Sequence, residues 1–184
     1  MRTELRRRSY TVAFCALLAA LGTALMTVGG WIPVATYCTP LLAGVLLLPV
    51  LSEFGKREAW MVWAVTTALS LILSVDKEAG AMYLFIGWYP IVKPALDRLR
   101  PRPLRWAVKL LLFTLAFAAM YSLLLFVFRL DVVLEDMESL GLWANVVMDG
   151  VLVVVMLLYD YVLGKLWLLY LYRLRPRLKR LSKG

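Results

Sequence analysis

Two carboxylates lie inside the last apolar run of this chain, and their position demands a chemical account. The run spans roughly 143–170 and holds Asp149 and Asp160. A charged side chain at membrane depth is costly, so such groups face a bundle interior or a watery cavity and mark ligand, ion or proton contacts. The two acids are eleven residues apart, three helical turns, so they share one face. Asn145 lies a turn above Asp149, and Gly164 a turn below Asp160, completing a polar stripe that should face the bundle. Asp149 sits roughly 9 Å in from one end of the run and is the best placed to meet a ligand entering there. Asp160 lies near the other end and is expected to pair with Lys165, Lys109 or Arg105.

The same acids do not make a catalyst. An aspartyl dyad shares one proton between carboxylates in contact, and eleven residues of helix hold these about 16 Å apart. The chain has no histidine, which removes His-based triads and the common His metal sites. It has no glycine-rich phosphate loop. The sequence reads as non-enzymatic, with no cofactor and no metal site expected.

The elements that position these residues follow from the distribution of charge. Six apolar stretches run over about 10–30, 31–51, 59–75, 79–95, 106–128 and 143–170. Of 21 Lys and Arg, all but Lys77 and Arg129 fall in the segments that share a side with the N-terminus when every stretch crosses. Lys and Arg are retained on the cytoplasmic side during insertion. The expected architecture is therefore an all-α integral membrane protein, a six-helix bundle with both termini cytoplasmic. One transmembrane domain covers 1–184, in the cell membrane. A hydrophobic content of 62% and a mean hydropathy of +0.78 agree with that class. The formal charge of +9 does not imply nucleic acid. It sits at helix ends on one side, where the partner is the anionic inner leaflet of the bilayer. The run from Tyr10 to Gly30 is long enough to span, so it reads as an uncleaved first helix rather than a signal peptide. Cys15 and Cys38 differ in expected depth by roughly 12 Å, too far for a disulfide, and read as packing residues.

Several local features qualify this frame. Ala16, Ala20 and Ala24 recur every four residues on the first span, which lets another helix approach closely. Internal packing and docking of a separate membrane subunit both fit that stripe. Pro40 and Pro49 imply breaks in the second span, and Gly87-Trp88-Tyr89-Pro90 with Pro94 imply a bent fourth span. Residues 129–142 have an amphipathic helical pattern and could lie across the outer mouth. The outer loops carry Asp76, Glu78, Asp131, Glu135, Asp136 and Glu138 against Lys77 and Arg129, so the mouth should attract cations. Tyr37 and Tyr83 lie nearby and offer stacking faces; with Asp76, Glu78 and Asp149 they are the candidate ligand-binding residues.

In size, topology, alanine stripe and acidic-aromatic outer loops, the chain resembles the substrate-binding S components of energy-coupling factor (ECF) transporters. It is similar, more specifically, to an uncharacterised group of Firmicutes membrane proteins with a PxxTYxxPxLAG stretch and a DKE loop. Here these are Pro33–Gly44 and Asp76–Glu78. The resemblance covers residues 10–170. It implies capture of a small, vitamin-like or cationic solute from outside. It also implies docking through Ala16, Ala20 and Ala24 on a transmembrane coupling subunit that works with ATPases. Two other classes fit the same residues: a non-transporting envelope scaffold and a stand-alone carrier. Against the carrier, spans 1–3 and 4–6 share no repeated pattern of Gly, Pro or charge.

Overall fold

The computed structural model describes residues 2–32, 35–74, 76–126 and 131–174, with the side chains of 2–5, 7, 102, 121, 124–126, 131–149 and 174 outside that description. Among the described residues every regular element is helical: α1 (Arg2–Gly29), α2 (Cys38–Val45), α3 (Leu47–Glu53), α4 (Lys56–Leu73), α5 (Lys77–Ile86), α6 (Tyr89–Leu96), α7 (Arg102–Phe126) and α8 (Asp131–Leu169). A π-helical turn, Tyr170–Leu174, follows α8 directly. Among the described residues, three helices are long and apolar enough to cross a membrane, over Arg8–Gly29, Pro103–Met120 and Gly150–Arg173. Their surface agrees with that role. Val12, Leu17, Leu111 and Leu158 are all more than 60% exposed, an arrangement that water penalises and lipid does not.

Proline sets the two breaks. Pro49 lacks the N–H that would bond the carbonyl of Val45, and α2 ends at Val45. Pro90 likewise cannot bond Ile86, and α5 ends at Ile86. The second and fourth apolar stretches are therefore pairs of half-helices, as their prolines predict. Pro40 makes no break, because it lies in the first turn of α2, where a missing N–H costs nothing. The helix starts at Cys38, later than the expected 31. At the other end of the chain, the amphipathic segment 129–142 is not a separate helix lying across a mouth. From Asp131 it is the first part of α8, which runs unbroken for 39 residues.

α1 packs on α4 and α2, α5 on α7 and α2, and α7 on α8. The face α1 turns inward is Ala19, Gly22, Thr23, Met26 and Gly29, all buried. A Cβ at Gly29 would stand 2.1 Å from the Thr39 side chain, so only glycine permits this approach of α1 to α2. The larger core joins Met82, Ile86 and Tyr89 to Phe113, Phe117 and Met120 of α7 and to Met156, Tyr159 and Leu163 of α8.

Candidate functional site

Asp76, Lys77 and Glu78 open α5, the first as its N-cap and the others as its first residues, and each has a different task. Asp76 is the N-cap of α5: its Oδ1 accepts from the backbone N–H of Glu78 at 2.9 Å and of Ala79 at 3.2 Å. Such a carboxylate satisfies orphan donors and sits favourably at the positive end of the helix. Lys77 reaches back to the preceding helix, where its Nζ donates to the carbonyls of Leu71 (2.8 Å) and Ser74 (3.0 Å). It caps the C-terminus of α4, which accepts cations. Glu78 alone reaches across the sequence, its Oε1 accepting the Tyr37 hydroxyl at 2.8 Å. Tyr37 is the N-cap residue of α2, so this bond ties the start of one broken segment to the start of the other. Gly30, just past α1, lies against Asp76 and Ser74, so the end of α1 joins the same cluster.

Tyr83 does not open onto this cluster. It is buried with Met26, Ala43 and Ala79, and its carbonyl accepts the Trp63 indole N–H at 3.3 Å. Of the five candidate ligand residues, Tyr37 and Glu78 therefore touch, Asp76 lies beside them as a cap, and Tyr83 belongs to the core. Asp149 lies on α8 with its side chain outside the described residues, as do the side chains of Asn145, Asp131, Glu135, Asp136 and Glu138. Ala16, Ala20 and Ala24 are exposed, and Ala13 with them. The alanine stripe is thus turned away from the bundle, which packs instead through Ala19, Gly22 and Gly29.

The far end of the α5–α6 segment holds a second polar centre. The Asp160 Oδ1 accepts the Tyr89 hydroxyl at 2.5 Å and the Lys93 ammonium, and its Oδ2 accepts from Lys109 Nζ at 2.8 Å. Lys109 also donates to Asp97 at 2.7 Å, and Lys93 lies 3.3 Å from the other Asp97 oxygen. Two cations and two anions thus alternate in a closed ring joining α6, α7 and α8. Two corners are buried, with side-chain exposures of 4% for Lys109 and 9% for Asp160; Lys93 at 12% is partly buried, and Asp97 at 39% forms the open corner. A ring of this kind leaves no net charge in the low-dielectric interior, the condition under which buried ions are tolerated. From the residue just before Asp160, the Tyr159 hydroxyl donates to the Leu41 carbonyl at 3.0 Å. It reaches α2 because Gly44 leaves room: a Cβ there would lie 2.6 Å from that hydroxyl.

Of the partners expected for Asp160, Lys109 is present. Arg105 instead meets the Asp97 carbonyl at 3.5 Å, and Lys165 lies 5.5 Å from the centre of the Tyr161 ring. Lys93, Asp97 and Tyr89 were not among the expected partners, although their spacing carries the signal. Residues 89, 93 and 97 recur every four, on one face of a helix, with the lysine inside an apolar run. Counting Lys93 with the basic loop conceals that pattern.

No family model, curated protein or solved structure matches the chain.

Proposed function

We propose that the protein is the membrane-embedded, solute-binding subunit of an uptake transporter, with six crossings and both termini in the cytoplasm. α2–α3 and α5–α6 each make one crossing as a broken pair. The Tyr37–Glu78 contact carries this reading. It gathers the entrances of both broken segments at the end away from the basic loop 98–105, which the positive-inside rule assigns to the outside. Broken helices are a recurring way to build a solute site within a membrane. An aromatic hydroxyl and a carboxylate side by side offer a cationic or polar solute a hydrogen-bonding partner, a counter-charge and a ring face. The outward-turned alanines Ala16, Ala20 and Ala24 support the second half of the reading, docking on a transmembrane coupling subunit served by ATPases.

The test is a thermal-shift panel on the purified protein, using divalent cations, organic cations and water-soluble vitamins. A ligand that raises the melting temperature of the wild type, and fails to do so for Glu78→Gln and Tyr37→Phe, supports the reading. A panel in which both variants respond as the wild type does removes Glu78 and Tyr37 from the site. A panel in which nothing shifts the wild type favours an envelope scaffold, which needs no solute.

A further inference from the structure

We propose that the cleft between α5 and α7 holds an acyl chain of an anionic phospholipid whose phosphate rests on Arg105. The inference depends on the chain spanning a bilayer and not on solute capture. The cleft has a volume of about 390 Å³ and is almost wholly apolar. Half-buried Phe85, Trp88, Val108 and Leu112 form its floor, and Leu115, 60% exposed, stands on its rim. Along α7 it extends from Val108 to Ala116, roughly 12 Å of helix.

Its occupant follows from what lies at one end. Arg105, Val108, Leu112 and Leu115 are spaced by three, four and three residues, so they share one stripe of α7, with the arginine one turn beyond the cleft. Trp106 is 48% exposed beside it, and an indole at a helix end marks the headgroup level. Arg98 and Arg100 are exposed at the same end. The nearby acid, Asp97, is already held by Lys93 and Lys109. Among the described residues, the Arg105 guanidinium makes only the 3.5 Å contact to the Asp97 carbonyl. An arginine has five N–H donors in a fork that suits phosphate. Lipid tails alone are unselective, because every lipid-facing helix meets them. An apolar cleft with Arg105 one turn beyond its end selects a charged head on its tail, the pattern of anionic-lipid sites between transmembrane helices.

Native mass spectrometry of the detergent-solubilised full chain tests this. Phosphatidylglycerol and phosphatidylcholine with identical chains are added in parallel, and inorganic phosphate is added as a competitor. The expected result is preferential retention of phosphatidylglycerol, unaffected by phosphate. Arg105→Gln should weaken its binding about fivefold, the equivalent of one surface arginine. Leu115→Trp, on an exposed rim where folding is undisturbed, should block the cleft and weaken phosphatidylglycerol binding comparably. Equal retention of both lipids would reduce the cleft to ordinary lipid-facing surface and overturn the proposal. Undiminished phosphatidylglycerol binding by Leu115→Trp, or full competition by phosphate, would overturn it too, leaving an arginine patch that takes any anion.

Discussion

Neutralising Asp160 should destabilise the protein far more than any surface charge change. Asp160→Asn keeps the volume and removes the anion that Lys93, Lys109 and Tyr89 all address. The ring then goes from two cations and two anions to two cations sharing Asp97, a local charge of +1. Asp97 is its most solvated corner, at 39% exposure, and therefore its weakest counter-charge. Lys109, at 4%, is the more deeply buried of the two cations. Removing one member of a buried ion pair costs about 3–5 kcal/mol. For a chain of this length about 2–4 °C of melting temperature accompanies each kcal/mol, so a drop of about 6–20 °C is expected. The assay is a thermal melt of purified wild type and variant in one detergent. Adding Lys109→Met to Asp160→Asn leaves Lys93 against Asp97, a neutral pair, and should recover at least half of the loss. A single variant within about 2 °C of wild type would refute the reasoning, since that is under ~1 kcal/mol. A double variant less stable than the single one would refute it equally.

Four further outcomes are expected. Single cysteines placed at Lys77 and Glu135 should react with an impermeant thiol reagent on intact cells, and one at Arg102 should not; labelling at Arg102 would invert the proposed topology. Gly44→Ala forces the Tyr159 hydroxyl off Leu41 and should cost about 1–3 kcal/mol, read as a lower melting temperature, while Tyr159→Phe alone should cost about 1 kcal/mol. Ala20→Leu adds bulk on the exposed face of α1, so its melting temperature should stay at the wild-type value while co-purification with a co-expressed coupling subunit is lost; a destabilised variant would contradict the outward orientation. Asp76→Ala removes the cap of α5 and should lower stability by about 1 kcal/mol without weakening binding of a ligand that Glu78 recognises, and a loss of binding equal to that of Glu78→Gln would make Asp76 a ligand residue.

Helicity and the two interrupted segments were legible because proline acts locally: the missing N–H at Pro49 and at Pro90 coincides with a helix ending four residues earlier, whereas Pro94, also expected to bend the fourth stretch, is accommodated inside α6. The outward direction of Ala16, Ala20 and Ala24 was not legible. Four-residue spacing defines a stripe but not what it faces, and the neighbouring set Ala19, Gly22 and Gly29 is just as small. Thr39 decided the matter by lying tightly against Gly29, a contact between segments that no periodicity encodes. At the turn 76–78, three consecutive charges suggested a polar mouth. Two of them are consumed in capping α4 and α5, which leaves the long-range bond of Glu78 as the distinctive contact. Asp160 was recognisable as a buried acid from its place in an apolar run, and Lys109 as a partner. Lys93 was hidden because its charge groups it with the basic loop that follows, whereas α6 runs through it to Leu96.

The two breaks also constrain how the chain can be made. α2 and α6 have eight residues each, about 12 Å of helix, and α3 and α5 have seven and ten. None approaches the ~30 Å of a hydrocarbon core. Each half leaves carbonyls at its broken end that hydrocarbon cannot satisfy, and α6 carries Lys93 as well. In the proposed six-crossing topology, a ribosome-coupled translocon releasing helices one by one would therefore have nothing stable to release after α1 or after α4. In that topology the broken segments have to be held until α7 and α8 arrive with Lys109 and Asp160, which places the completion of membrane integration late, in the C-terminal half.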